Sequence, residues 1–538
     1  MNSNGRLTAK IGAALAMIVL AELLIADGNG AVVGGFAFAW INALLLTRRA
    51  IWHDGLARLA LIAGAGLAAV LVDDPSFLGW VLFWTAVSLA ALLPRRGFDD
   101  ALAWARRLGW HAMSAVVAPL KDAARLSMVR QRRGPSSGGI RAIGAVVALP
   151  LVGGTVFVAL FASANPLIGQ AFSRIVLPDP WAVTWRTVFG LCVLVTIWAS
   201  LRPSRRTTRA SRIDERSIGM VFEPGVTTLI LSLVTFNAIF AVENALDIAF
   251  LWSGAGLPAG VTMADYAHRG AYSLIVTAVL AAVFVLLALR PGSAAAASPL
   301  VRRLVTVWIV QNLLLVASSA LRTLDYVDAY GMTVLRLSAL AWMGLVATGL
   351  ALIGWRLLAG KSASWLINAN ALAAFTVLVT ASVVDLGATA AAWNVRTTLV
   401  RGKAGPPLDL CYMARLGSSS LVSLAMLEQH AKQPGLRDRL AYLRWESQVE
   451  TADGQAYWRR WTPRNGRRLA TVRAMFGTKA PRSRSSPDGR SCDGLILPPP
   501  MVEETLAPLP IQASKTSAPL PPSPTAPAPK PLTPGAQQ

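Results

Sequence analysis

The sequence predicts an all-α, polytopic integral membrane helical bundle, and three observations carry that expectation. Mean hydropathy is +0.50 over the whole chain. Only 15% of the residues are charged against 54% apolar, whereas soluble domains carry about a quarter charged residues. The apolar residues also gather into runs long enough to cross ~30 Å of hydrocarbon as helices, with polar connections between them. A formal charge of +23 raises the idea of nucleic acid. Its distribution excludes that reading, because the basic residues sit in loops between apolar runs and in the last third of the chain.

The first run, residues 11–26, follows Arg6 and Lys10. Glu22 within it and a second run directly after it favour an uncleaved first helix over a signal peptide. Further spans are predicted at 31–46, 56–72 and 77–93, which closes an N-terminal membrane region at residues 1–93. Residues 94–141 form a basic segment. Trp104, Leu108, Trp110, Val116, Val117, Leu120 and Leu126 mix there with Arg106, Arg107, Lys121, Arg125 and Arg130, a pattern suited to a helix lying among lipid headgroups.

A membrane core over 142–397 holds seven more expected spans, at 142–162, 184–201, 225–252, 271–289, 304–321, 335–355 and 365–386. Eleven crossings result. Lys and Arg alternate with them: the connections on the N-terminal side hold 26 of the 51, those on the opposite side hold 5, and 20 follow residue 387. Bias of basic residues in short loops sets orientation. The N-terminus is therefore expected in the cytoplasm and everything after Leu386 outside it, in a bacterial inner membrane.

Residues 398–478 read as a small helical extracytoplasmic module. Asp409–His430 has helical apolar spacing, Pro434-Gly435 breaks it, and Leu436–Trp445 and Tyr457–Phe476 follow, interrupted by Asp453-Gly454 and Pro463. Its Trp458-Arg459-Arg460-Trp461 stretch, with Arg464, Arg467, Arg468 and Arg473, suits docking against the membrane body or an anionic envelope surface. Outside the cytoplasm, Cys411 and Cys492 would meet an oxidising compartment and could pair, or remain two unrelated thiols. Residues 479–538 turn to Pro, Ala and Ser and are expected to be an unordered tail.

Chemistry-bearing residues fall into two sets. Within the apolar spans, Asn237, Glu243, Asn244, Asp247, Gln311 and Asn312 are polar. Ionisable groups at such positions are expensive and raise a proton or coupling-ion role; the plainer reading is interfacial charge and interhelical hydrogen bonding. On the expected outer side lie Asn165, Asp265, Tyr266, His268, Arg269, Arg322, Asp325, Tyr326, Tyr330, Asn394 and Arg396. Arg and Tyr in such a cluster suit a phosphate or carboxylate, while Tyr and Arg also anchor at headgroup depth. Four scattered histidines and three cysteines give no metal-ligand spacing. No P-loop, nucleophile elbow or dinucleotide fingerprint occurs, and no cofactor is expected.

Several ordered stretches carry a family resemblance: Ala164-Asn165-Pro166-Leu167; Val261-Thr262-Met263-Ala264-Asp265-Tyr266-Ala267-His268-Arg269-Gly270; Arg322-Thr323-Leu324-Asp325-Tyr326; Ala329-Tyr330-Gly331-Met332-Thr333; Trp393-Asn394-Val395-Arg396; and Leu408-Asp409-Leu410-Cys411-Tyr412 with Leu416-Gly417. Over roughly 140–430 the chain resembles a bacterial membrane family catalogued as domain of unknown function 4173. It departs at Ser418–Ser423, a region often proline-containing in similar proteins. The resemblance implies a polytopic inner-membrane protein and no activity. The expected role is a non-enzymatic envelope scaffold, or a protein binding an envelope partner or anionic ligand, supported by the bilayer. A secondary transporter using Glu243 and Asp247 is one alternative. A membrane enzyme acting on a lipid-linked substrate is another, and it needs Arg269, Arg322 and Arg396 to converge.

Overall fold

The computed structural model describes residues 3–132, 179–203, 225–249, 298–402 and 405–477, with single positions at 150, 153, 154, 157 and 492. The expected spans at 142–162 and 271–289, and the tail beyond residue 478, lie outside the described residues apart from those positions. No strand occurs among the described residues.

Among the described residues, eight helices are long and apolar enough to cross a membrane. These are α1 (Ser3–Leu24), α3 (Gly55–Asp73), α4 (Phe77–Leu92, continued by a tighter turn to Arg95), α6 (Pro180–Leu201), α7 (Val226–Asp247), α8 (Pro299–Tyr330), α9 (Val334–Ala359) and α10 (Ala363–Val383). The apolar helix α2 (Val32–Thr47) has 16 residues and no such continuation. Polar residues placed just before an apolar run start several of these helices by accepting a hydrogen bond from a first-turn N–H. Asp54 accepts from Ala57 at 2.8 Å, Ser76 from Gly79 at 3.1 Å and Ser362 from Trp365 at 3.1 Å.

Two apolar cores hold the body together. In the first, Phe36 and Trp40 of α2 meet Trp80 and Phe83 of α4, with ring centroids 5.5–6.3 Å apart. The buried indole of Trp40 is satisfied by Ser200 Oγ of α6 at 2.9 Å. In the second, Leu229 and Leu233 of α7, Val305, Trp308 and Ile309 of α8, Leu350 and Ile353 of α9, and Leu366 of α10 pack together.

Helix α8 outruns its apolar stretch. Its 32 residues span about 48 Å at 1.5 Å per residue, longer than the ~30 Å of a hydrocarbon core, and Gly331, at φ 81°, ends it. The segment predicted to lie among headgroups forms α5 (Ala101–Arg132). One of its faces buries Trp104, Arg107, His111 and Ala115, while Trp110, Met113, Val117 and Leu120 are exposed on another.

After α10 the chain caps a new helix, α11 (Leu386–Arg401), with Asp385 accepting from Ala388 at 2.9 Å. The single helix expected over Asp409–His430 is two. Gly417, at φ 55°, separates α12 (Leu410–Arg415) from α13 (Leu421–His430). The expected break at Asp453-Gly454 is not observed, because α14 runs unbroken over Pro434–Ala456. Leu440, Leu443, Arg444, Ser447 and Thr451 bury one face of α14, which outweighs the ~1 kcal/mol that a helical glycine costs. Pro463 begins α15 (Pro463–Phe476) at a position where its missing N–H is harmless. Cys411 and Cys492 are joined by a disulfide, their Cα atoms 4.9 Å apart.

The helices of the last third pack on one end of the body. Arg459 and Trp461 accept main-chain hydrogen bonds from Gly30 and Ala31 in the α1–α2 loop, at 2.9 and 2.8 Å. Arg464 reaches Asp73 and Asp74 in the α3–α4 turn at 3.0 and 2.7 Å. Arg467 reaches Asp73 at 2.6 Å, and Arg468 pairs with Asp385. At the far end, Arg48 donates to Ser200 O at 3.0 Å, Arg95 to Pro203 O and Arg302 to Leu357 O at 3.3 Å. Among the described residues, the two groups of loops separated by the Lys/Arg count thus lie at opposite ends.

Candidate functional site

The α8–α9 turn, α11 and the residues before α12 enclose a cleft of about 200 Å³ at the module end. Each wall has a local reason. Gly331 closes α8 in the left-handed region, and a Cβ there would meet Asn394 Oδ1 at 3.0 Å, so only glycine fits without strain. Asn394, buried on α11, accepts from Met332 N at 2.6 Å and donates to Met332 O at 2.9 Å. One amide therefore satisfies both main-chain groups of a turn residue. Thr333 caps α9 by accepting from Arg336 N at 3.3 Å. Tyr412 Oη accepts from Val334 N at 2.8 Å, tying α12 to the same turn. Asp409 caps α12, accepting from Tyr412 N at 2.8 Å.

Arg336 supplies the cationic wall. It donates to Gly331 O and stacks 4.1 Å from the Tyr326 ring centroid, and Tyr326 and Tyr330 have centroids 4.9 Å apart. A guanidinium is preorganised for phosphate or carboxylate. At ~30 Å³ per water, the cleft suits a group of that size and not a drug-sized ligand. Arg336 was not among the expected site residues. The signal was present: a cation in the first turn of a helix opposes the macrodipole, so something else holds it there.

The expected outer cluster is divided. Tyr330 and Asn394 line the cleft, and Tyr326 supports Arg336 from behind. Asp325 and Arg396 are exposed and do not line it. Arg322 turns into the bundle and pairs with Asp247. Asn165, Asp265, Tyr266, His268 and Arg269 lie outside the described residues.

The intramembrane set forms a seam between α7 and α8. Asn237 Nδ2 donates to Leu233 O at 2.7 Å on its own helix and to Leu304 O at 3.1 Å on α8. Seven residues on, Asn244 repeats the arrangement with Phe240 O at 2.8 Å and Gln311 O at 3.3 Å. The partners also advance by seven, so two parallel helices are held in register by a repeated asparagine, as a buried polar residue does in a coiled coil. Asn312 donates to Trp308 O at 2.7 Å within α8. Glu243 and Asp247 are four apart, yet Asp247 is 3% exposed while Glu243 faces outward. Glu22 pairs with Arg186 of α6 at 3.2 Å.

Two further charged sites lie at the far end. Asp99 accepts both ends of the Arg107 guanidinium at 2.6 Å, which draws its carboxyl down to about 2. His111 is 1% exposed; burial, then the charges of Arg48 and Arg95, lower its pKa to about 4, so it is neutral at pH 7. Among the described residues, no group of three or more His, Cys, Asp or Glu could hold a metal ion.

A family model described as Domain of unknown function (DUF4153) matches residues 59–427. This corrects the resemblance drawn from the motifs, which pointed to number 4173. It also places the start of the similarity in α3, well before residue 140. The matched region includes every residue lining the cleft and both helices of the seam. No curated protein and no solved structure matches the chain.

Proposed function

From a chain that belongs to the family of domain of unknown function DUF4153 and carries, among its described residues, eight helices long and apolar enough to cross a membrane, we propose a non-enzymatic envelope protein of a bacterial inner membrane. On this reading there are about eleven crossings, with the N-terminus in the cytoplasm and α11–α15 outside. There the cleft beside Arg336 holds a small phosphate or carboxylate group.

The observation that carries the reading is convergence. Tyr330–Thr333, Asn394, Leu408, Asp409 and Tyr412 are far apart in sequence yet meet around one cleft, whose charged side chains are Arg336 and Asp409. Orientation draws support from the basic-residue bias and from the Cys411–Cys492 disulfide, a bond that persists in oxidising compartments. A membrane enzyme is less well supported, since Arg322 is committed to Asp247 inside the bundle and Arg396 is exposed away from the cleft.

One experiment tests both the side and the ligand. Thr398 lines the cleft, so Thr398→Cys in a Cys192→Ser background should react with a membrane-impermeant maleimide in intact spheroplasts. Saturating inorganic phosphate or acetate should slow labelling about tenfold, and adding Arg336→Gln should abolish the protection, given the weight of a charge-assisted bidentate contact. Labelling only after lysis overturns the placement. Labelling indifferent to both anions overturns the ligand class.

A further inference from the structure

The α7–α8 seam has an excess of acceptors that its register role does not use. Each asparagine spends its amide N–H groups on main-chain carbonyls, so reversing the amide would set oxygen against oxygen. Its orientation is therefore determined by the network. Asn237 Oδ1, Asn244 Oδ1, Gln311 Oε1 and Asp247 Oδ2 are all buried, and no donor among the described residues reaches them. Asn244 and Asp247 are 5% and 3% exposed. Asn237 and Asp247 are ten residues apart, about 15 Å along the helix. The series ends where Asp247 meets Arg322, one carboxylate paired with one guanidinium at the head of an oxygen-lined seam. Register alone would be served equally well by amides whose oxygens were also satisfied.

Buried acceptors left without a donor attract a group that brings positive charge. We propose that the α7–α8 seam is a binding track for a small hydrated cation, Na⁺ or hydronium, coordinated by Asn244 Oδ1, Gln311 Oε1 and Asp247 Oδ2 and extending toward Asn237. This goes beyond the cleft at the module end and does not depend on it. The Asp247–Arg322 pair closes the track on the module side: a cation arriving at Asp247 competes with the guanidinium for the same carboxylate.

The test uses the full chain in lipid nanodiscs, with thermal unfolding followed in NaCl or choline chloride at equal ionic strength, at pH 8 and at pH 5. A bound cation stabilises in proportion to its occupancy. Sodium should raise the melting temperature over choline at pH 8 by several degrees if Na⁺ is the occupant. If the occupant is a proton, the chain in choline at pH 5 should melt higher than its Gln311→Leu variant, a comparison in which the fall caused by His111 cancels. Gln311→Leu is the discriminating variant, because its side chain makes no interhelical hydrogen bond among the described residues while its main-chain carbonyl still serves Asn244. It should abolish the cation-dependent shift without lowering the melting temperature in choline at pH 8. Asn370→Leu removes a comparable bond within α10 and should leave the cation-dependent shift in place. Equal melting temperatures in NaCl and choline at each pH together with no effect of Gln311→Leu at pH 5, or a sodium shift that survives Gln311→Leu, would overturn the proposal.

Discussion

The two ends of the helical body hold their arginines in different ways. At the module end, guanidinium groups from α15 meet carboxylates in two connections of the body: Arg464 on Asp73 and Asp74, Arg467 on Asp73, and Arg468 on Asp385. At the far end, Arg107 and Arg202 also meet carboxylates, Asp99 and Asp122, but Arg48, Arg95 and Arg302 donate to main-chain carbonyls near helix C-termini. A cation there complements the macrodipole without neutralising its own charge. The first arrangement joins segments nearly 400 residues apart; the second keeps one end of the body positive. A formal charge of +23 therefore describes two unlike surfaces, and neither needs nucleic acid to explain it.

The largest expected effect breaks the module end. Asp385→Ala removes the cap of α11 and the partner of Arg468, a mostly buried guanidinium whose pKa burial already lowers. The expected loss is about 2–4 kcal/mol, combining a lost cap with an uncompensated charge. Limited proteolysis of the full chain should show α14 and α15 cut first. Unchanged protection would show that the apolar contacts alone seat the module.

An intermediate effect sharpens the contrast at the far end. The folded pKa of His111, about 4, lies below its unfolded value of about 6.5. The unfolded chain therefore binds the extra proton between those limits, and stability falls as pH drops from 6.5 to 4, by at most about 3 kcal/mol. Below 4 that contribution is flat. His111→Phe keeps a ring against Trp84 and should flatten the pH dependence of unfolding within that window. A slope that persists would place its source elsewhere.

The smallest effect returns to the module end. Arg467 is 65% exposed in its pair with Asp73, so Arg467→Ala should cost no more than about 1 kcal/mol. That cost should shrink as salt screens the pair. A larger, salt-insensitive loss measured by thermal unfolding would mean that the side chain acts through packing.

The apolar runs were legible because burial in hydrocarbon acts on each segment separately: a helix satisfies its own backbone, so length and composition suffice to find it. Alternation of basic loops was legible for the same reason. The cleft was legible only in part. Tyr330, Asn394 and the Leu408–Tyr412 stretch stood out as motifs, but sequence spacing could not show that they meet, and Arg336 was passed over as one more loop cation.

By itself, the sequence determined that this is an all-helical chain with many membrane-crossing segments, and it singled out Asn237, Asn244 and Asp247 as polar residues within one apolar run. Tertiary structure decided their partners. It took Arg322 away from the surface cluster and gave it to Asp247, set the asparagine heptad of α7 against Leu304 and Gln311 of α8, and laid the basic face of α15 on the acidic turns. The reason is physical: hydropathy is a sum over neighbours in sequence, whereas an ion pair or a shared amide is made by neighbours in space.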